Sequence, residues 1–360
     1  MATYNYLLAD LLTNQVLAEL PLNGVSFGRR LGKAGPINFS FGLQRSGFSD
    51  EAILEATEPG RTAIYVDRDG ALVYGGIVWS RTWQEQSYSL QMYGESFESF
   101  LYREDIRNTL DYVNVDQRNI GIDLVNKMQA YPYRDIGIIV PDAYSTPNIL
   151  RSTTFADYEA WTFGKAMDYM KDYAAGFDYT IDVRYGTDGQ PEKVMYIDDL
   201  LGQSETNTQL AFDYPGNVKN YWWPESASKG ATTIHGMGAG EGSAMARTVV
   251  TDQPKLDAGY PELVSFYSNK DVTVQATLDS KSVSQLAQYP MPFGVPTFET
   301  NPNIEPQFGS YQLGDYARVS IESVRFPEGK VFRTRVIGWD VTPQSGETQE
   351  QVKLIVAGED

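Results

Sequence analysis

The chain has 360 residues, beyond the size at which one hydrophobic core usually keeps growing, so two or more domains are expected. It contains no cysteine and one histidine, His235, which excludes disulfides, thiolate metal sites and HExxH zinc hydrolases, and leaves a Ser-His-Asp triad only if His235 serves it. Its 29 basic and 47 acidic residues give a net charge of −18, which argues against a surface that grips nucleic-acid phosphates. Such a balance gives solubility, and it would also keep DNA from adhering. No run approaches the roughly 20 apolar residues of a membrane span, and the start MATYNYLLAD lacks the basic region of a signal peptide. The chain therefore reads as cytosolic when made.

In chain order, Tyr4, Tyr6 and Leu8 alternate, Thr13-Asn14-Gln15 turns, and Leu17, Leu20 and Leu22 return. Asn23-Gly24 leads to Val25 and Phe27, and after Gly35-Pro36 the residues Phe39, Phe41 and Leu43 mark another strand up to the Ser46-Gly47 turn. Asp50 to Glu58 reads as a short helix or a loop. The stretch Arg61 to Tyr102 reads as a three-stranded meander: Ile64 and Val66, the Asp69-Gly70 hairpin turn, then Leu72, Tyr74, Ile77 and Trp79, with a third run starting at Trp83. Gly75-Gly76 inside the second run implies a bulge, a bend or another backbone passing close. Residues 1–103 are thus one β-rich unit.

From Glu104 the texture changes. Ile120, Leu124, Val125 and Met128 predict a helix ending before Tyr131-Pro132. Thr154 with Asp157 resembles a capping box, and Trp161, Ala166, Met167, Met170 and Ala174 predict a second helix up to Gly176. Phe177, Tyr179, Ile181 and Val183 form a strand, Thr187-Asp188-Gly189 turns, and Val194, Tyr196 and Ile197 return. Residues 104–212 read as an α+β domain.

β character resumes at Tyr221, Trp222 and Trp223. Gly236, Gly238, Gly240 and Gly242 recur every second residue, but Glu241 stands where a dinucleotide fingerprint needs glycine, and SAMARTVVTD gives one or two turns or another strand. Glycines on one strand face imply something packed flat against it, such as another subunit, or else a bend that needs φ freedom. Residues 251–306 read as an inserted small domain: Val272, Val274 and Ala276 as a strand, Asp279 capping a short helix through Val283, Leu286 and Ala287, then the proline-rich run PMPFGVPTFETNPNIEP as an extended loop or linker. Tyr311 and Leu313 then reach the Gly314-Asp315 turn; Ala317, Val319 and Ile321 alternate, Phe332, Thr334 and Val336 return, and after Gln344-Ser345-Gly346 the strand Val352, Leu354, Val356 ends the chain. Residues 213–250 with 307–360 form a second barrel-like β domain, matching the first at 1–103. The fold class is mainly β with α+β insertions.

Two acid pairs, Asp198-Asp199 and Glu104-Asp105, are the candidates for glycoside chemistry, which needs facing carboxylates about 5–9 Å apart. Adjacency in sequence does not supply that geometry. His235 lies in a strand beside glycines with no nucleophile motif near it, so it reads as a structural or interface residue. The aromatics Trp79, Trp83, Trp161, Trp222 and Trp223 could line a sugar groove, but they more simply fill barrels and interfaces. No cofactor or metal is expected.

The order of short motifs resembles the hub proteins of bacteriophage tails, most closely the minor tail or tail-associated proteins of long, non-contractile phages, especially those infecting actinobacteria. The resemblance rests on Asn23-Gly24-Val25-Ser26-Phe27, Gly35-Pro36 and Phe39-Ser40-Phe41; on Asp69-Gly70 and Val73-Tyr74-Gly75-Gly76-Ile77-Val78; and on Tyr93-Gly94 leading to Phe100-Leu101-Tyr102-Arg103. It continues through Leu313-Gly314-Asp315-Tyr316-Ala317 and Arg335-Val336-Ile337-Gly338. It implies a structural virion protein rather than an enzyme: a homotrimeric ring whose two barrel-like units per chain match a six-fold tail tube. Its partners would be further copies of itself, the distal tail protein or tail tube above, tip, fibre or central spike proteins below, and the tape-measure protein. DNA would pass without being specifically bound. Family members often carry a hydrolase or receptor-binding region beyond the hub; such an activity is expected in another protein. The readings from other classes are a polysaccharide-cleaving tail-tip hydrolase and a carbohydrate-binding module.

Overall fold

The structure, a computed structural model, describes residues 2–42, 50–173, 175–204, 206, 209–228, 230–289, 296–344 and 349–357. Leu43, the Ser46-Gly47 turn, Ala174, the first part of the proline-rich run and the Ser345-Gly346 turn lie outside them. The first elements are β1 (Tyr4–Asp10), β2 (Val16–Glu19), β3 (Asn23–Arg30), β4 (Pro36–Gly42), α1 (Asp50–Ala56), β5 (Thr62–Arg68), β6 (Ala71–Gln84), β7 (Ser89–Ser96) and α2 (Glu98–Leu101). There follow β8 (Leu110–Asp116), α3 (Gln117–Gln129), β9 (Ile138–Ile139), β10 (Leu150–Phe155), α4 (Phe163–Lys171), β11 (Asp178–Tyr185), β12 (Pro191–Asp198), β13 (Ala211–Tyr214) and β14 (Val218–Trp222). The last are β15 (Thr233–Met237), β16 (Arg247–Thr251), α5 (Gln253–Asp257), β17 (Val264–Ser268), α6 (Gln275–Ala287), β18 (Thr297–Thr300), β19 (Tyr316–Ile321), β20 (Lys330–Thr342) and β21 (Gln351–Val356). The fold is mainly β.

The chain forms two compact units, one of residues 1–168, 177–221 and 297–360, the other of 169–176 and 222–296. In the first, one long sheet runs β14-β18-β21-β20-β3-β4-β7-β6-β5-β1-β2, with β19 added to β20 and β13 to β19. Its two halves come from opposite ends of the sequence. They meet where β20 pairs antiparallel with β3, Gly338 opposite Arg30 and Val341 opposite Phe27. Among the described residues no sheet closes on itself, so the expected pair of barrel-like domains is not seen as closed barrels: β3 and β20 spend on each other the edges that closure would need. β5 lies between β6 and β1, and its residues Thr62 to Asp67 are buried on both faces. One of those faces is covered by the small sheet β11-β12-β9, which crosses at Gly75, and α3 backs the small sheet where Gly121 meets Ile197 and Phe177.

The helix expected from Ile120 to Met128 is α3; the Asp116 side chain caps it by accepting from the Arg118 backbone N–H at 2.9 Å, and all four predicted apolar residues are buried. The expected helix from Thr154 begins later. Thr154 lies in β10 and donates to Asp111 Oδ1 of β8 at 2.7 Å, while Thr162 caps α4 by accepting from the Lys165 N–H at 3.2 Å. The β-branched run Thr153-Thr154 finds a cross-strand partner, and Trp161 packs edge-on against Phe155 at 5.2 Å.

Trp83 lies within β6, opposite Leu90, rather than starting the next strand; the chain reverses at 85–87, with Tyr88 at φ +44°. Thr297–Thr300, inside the proline-rich run read as a loop, is the strand β18 paired with β21. In the second unit the strand expected at Val272, Val274 and Ala276 is instead the approach to α6, and Asp279 lies within that helix. Leu278, Lys281 and Ser282 are its buried residues. Period-four burial of one leucine, one lysine and one serine leaves no apolar stripe to read.

Candidate assembly site

Burial of charge marks the joints of the first unit. Arg29 of β3 is 5% exposed; its guanidinium pairs with Asp182 and donates to Thr180 Oγ1 at 2.7 Å and Ile181 O at 3.3 Å, all on β11. Beside it Glu98 of α2 is buried, accepting from the Ile181 N–H at 2.8 Å and the Ser96 hydroxyl at 2.5 Å. Burial raises the Glu98 carboxyl above its ordinary range, against the pull of Arg29. These groups clamp the small sheet onto the long one. Arg335 of β20 makes a second clamp, donating to Asp178 Oδ2 at 2.7 Å, Leu201 O at 2.9 Å and Gly314 O at 3.0 Å.

Lys193 of β12 is 1% exposed and, among the described residues, has no carboxylate bonded to it. Its ammonium donates to Ile136 O at 2.6 Å and to Asn14 Oδ1 at 3.0 Å, and lies 5.1 Å from the Phe97 ring centre. Burial pushes its pKa down to about 8, with Asp135 and Asp10 only partly opposing. Asn14, at φ +59° in the β1–β2 turn, also accepts from the Tyr65 hydroxyl at 2.5 Å.

The acid pairs are brought to arginines. Asp198 Oδ1 is 3.1 Å from Arg118 Nη1; Asp199 accepts from Gln117 Nε2 at 2.7 Å and Asn148 Nδ2 at 2.6 Å. Asp116 shares the same guanidinium; burial works against its charge, but bonds from Arg118 and the Asn148 N–H hold the carboxyl below its usual range. Arg118 also stacks on Tyr144, 3.7 Å from the ring centre. Glu104 and Asp105 both pair with Arg134, Glu104 at 2.7 Å. Among the described residues no group of three His, Cys, Asp or Glu is placed to hold a metal, and no helix is long and apolar enough to cross a membrane. The cleft bounded by Arg29, Thr180, Tyr196, Tyr311 and Trp339 has a volume of about 210 Å³. That is below the roughly 300–1,000 Å³ of ordinary ligand sites, and its Arg29 and Asp182 already bond each other.

The glycines singled out from sequence sit at close approaches. A Cβ on Gly75 would lie 2.4 Å from Val183 of β11 and 2.7 Å from Phe97; one on Gly76 would lie 2.4 Å from Glu95 O. On β15 a Cβ on Gly236 would lie 2.2 Å from Ser282 Oγ of α6; the strand ends at Met237, so Gly238 and Gly240 lie beyond it rather than on its face, a Cβ on Gly238 being 2.7 Å from Val272 O and Gly240 having φ +106°. In the turns, Asp69 and Gly70 have φ +54° and +86°, and Gly314 +93°; Asp315 accepts from the Gln203 N–H at 2.7 Å. Gly75→Val is expected to cost about 1–3 kcal/mol by overpacking, read as a lower thermal midpoint, because Val183 and Phe97 are themselves buried and have nowhere to move.

The second unit is where sequence reading missed most. Val264–Ser268 forms β17, parallel to β15, a strand whose alternation of Val264 and Phe266 with Ser265 and Tyr267 was available as a signal. His235 stands on β15 with Phe266 beside it, ring centres 5.7 Å apart. This unit carries eight acidic and six basic residues, so nearly all of the −18 resides in the first.

No protein-family profile and no curated relative matches the sequence. Solved structures do match the fold. The chain superimposes on the tail protein from Neisseria meningitidis MC58 with a TM-score of 0.61 at 12% identity, covering 99% of this chain and 96% of that one. The fold is that of phage tail proteins. The 43 kDa tail protein of prophage MuSo2 from Shewanella oneidensis gives a TM-score of 0.60 at 12% identity, over 98% of both chains. A chain of the half-lidded Francisella PdpA–VgrG complex gives 0.57 at 6% identity, over 99% of this chain and 58% of that one. The tail-protein fold thus extends over both units, from the long sheet to the α6-backed sheet.

Proposed function

We propose that this chain is a structural protein of a phage tail, a trimeric hub that joins the six-fold tail tube to the three-fold tip around the DNA and tape-measure channel. The observation that carries the reading is the end-to-end match to two tail proteins of nearly the same length. The acidic first unit supports it, since a lumen rich in carboxylates repels passing DNA. The Arg118 and Arg134 clusters support assembly over catalysis, because each occupies the acids that a hydrolase would need free. In this reading the two halves of the long sheet, one from residues 1–103 and the other from 211–221 with 297–356, are the two tube-facing parts. In the proposed assembly a distal tail or tube protein lies above, and a spike or fibre protein below. The long, non-contractile class of tail is carried forward from the sequence resemblance.

Negative-stain images of the purified protein, alone and mixed with assembled tail tubes, test the proposal. The expected result is a closed ring of three 40.2 kDa chains that caps tube ends. Single chains that leave tube ends bare under every condition would overturn it.

A further inference from the structure

The three-stranded sheet of the second unit has one covered face and one bare face. On the covered face Ile234 is fully buried and Gly236 lies against Ser282 of α6. On the other, the register sets Val249 of β16, His235 of β15 and Phe266 of β17 in one row across the sheet. Phe266 is 66% exposed, Val249 60% and Val264, two residues from Phe266 on the same face, 44%. A phenylalanine and two valines together on a flat strand surface are the pattern of a contact surface rather than of scattered exposure. The sheet also has two free edges: among the described residues β16 and β17 pair only with β15. At the start of β16 the Arg247 carbonyl accepts from Gln275 Nε2 of α6 at 3.2 Å.

The geometry points to a second copy of this chain as the partner that completes this sheet, the β17 edge of one copy lying beside the β16 edge of the next so that the Val249–His235–Phe266 row continues between them. Two observations select a copy of the chain. The free edges lie on opposite sides of one sheet, so head-to-tail contact uses both in every copy and leaves none unpaired when the ring closes. Charge selects the same surface: the first unit holds nearly all of the −18, and like copies meeting there repel, whereas the second unit is close to neutral. The inference rests on the ring reading above and names the contact that closes the ring.

The test is light scattering of the full chain over a concentration series, with Phe266→Asp and Val249→Asp against Tyr158→Asp as control. All three side chains are exposed, Tyr158 at 85% in the first unit, so each variant should fold, as far-UV circular dichroism would verify. The two sheet variants should weaken self-association at least about tenfold, as loss of a central interface anchor does, and the control should not. Because the native chain has no cysteine, the double variant Val249→Cys/Phe266→Cys should oxidise to linked multimers while each single variant stays unlinked. Opposed residues on paired strands lie about 4.5–5.5 Å apart, within disulfide reach. A mass profile of Phe266→Asp identical to the parent, equal cross-linking in the single variants, or a parent that never self-associates would each overturn the inference. Rings that persist in Phe266→Asp would remove this contact and leave the hub reading standing; bare tube ends would remove that reading.

Discussion

Arg29→Ala should lower the stability of the first unit by about 3–5 kcal/mol, read as a lower urea midpoint, because it leaves charge buried without its partner. Arg29 is the cation beside both Asp182 and Glu98, and Glu98 is 1% exposed. Glu98→Gln provides the control. If the loss comes from an orphaned carboxylate, the double variant Arg29→Ala/Glu98→Gln should be more stable than Arg29→Ala alone. The Glu98 carboxyl is raised in the fold, so its stabilising contribution is complete below the unfolded value near 4.5 and is lost as pH rises through the folded value. Arg29 lowers that folded value, so Arg29→Ala should extend the loss to higher pH, and Glu98→Gln should abolish it. Urea unfolding at a series of pH values separates these outcomes. A slope unchanged in Glu98→Gln would mean that other carboxylates carry it.

The second large effect is at Lys193. Its pKa falls from 10.5 to about 8 in the fold, so between those values the unfolded chain binds more protons than the folded one. Stability should therefore rise with pH across that window, by about 3 kcal/mol in all at 1.36 kcal/mol per unit. Lys193→Met should flatten the rise. At pH 7 two consequences of that substitution oppose each other: a buried charge is removed, while Ile136 O loses a donor at about 1–3 kcal/mol and Asn14 Oδ1 keeps the Tyr65 hydroxyl. The pH slope between 8 and 10.5, measured by thermal unfolding, is thus the decisive quantity. A slope that survives in Lys193→Met would place the titrating group elsewhere.

Sequence alone determined the parts of this protein that are governed by local chemistry. The Asp69-Gly70 hairpin turn follows from local backbone preference, and the helical face of Ile120, Leu124 and Met128 and the run Ala317, Val319, Ile321 follow from periodicities of 3.6 or two that a single element must show to bury one face. Composition ruled out disulfides and thiolate metal sites for the same reason: those chemistries need residues that are absent. Tertiary structure decided what depends on partners far away in the chain. Thr154 belongs to a strand because Asp111 meets it across the β8–β10 pair. The segment 275–287 is helical although its buried face includes Lys281 and Ser282, and the lysine is accommodated by the Tyr169 carbonyl at 2.9 Å and the Tyr169 ring at 3.5 Å. The two ends of the sequence share one sheet because β20 reaches β3, a pairing across some three hundred residues that no local pattern announces. The same holds for the acid pairs: Asp198 and Glu104 look available in sequence, and only the fold brings Arg118 and Arg134 to them.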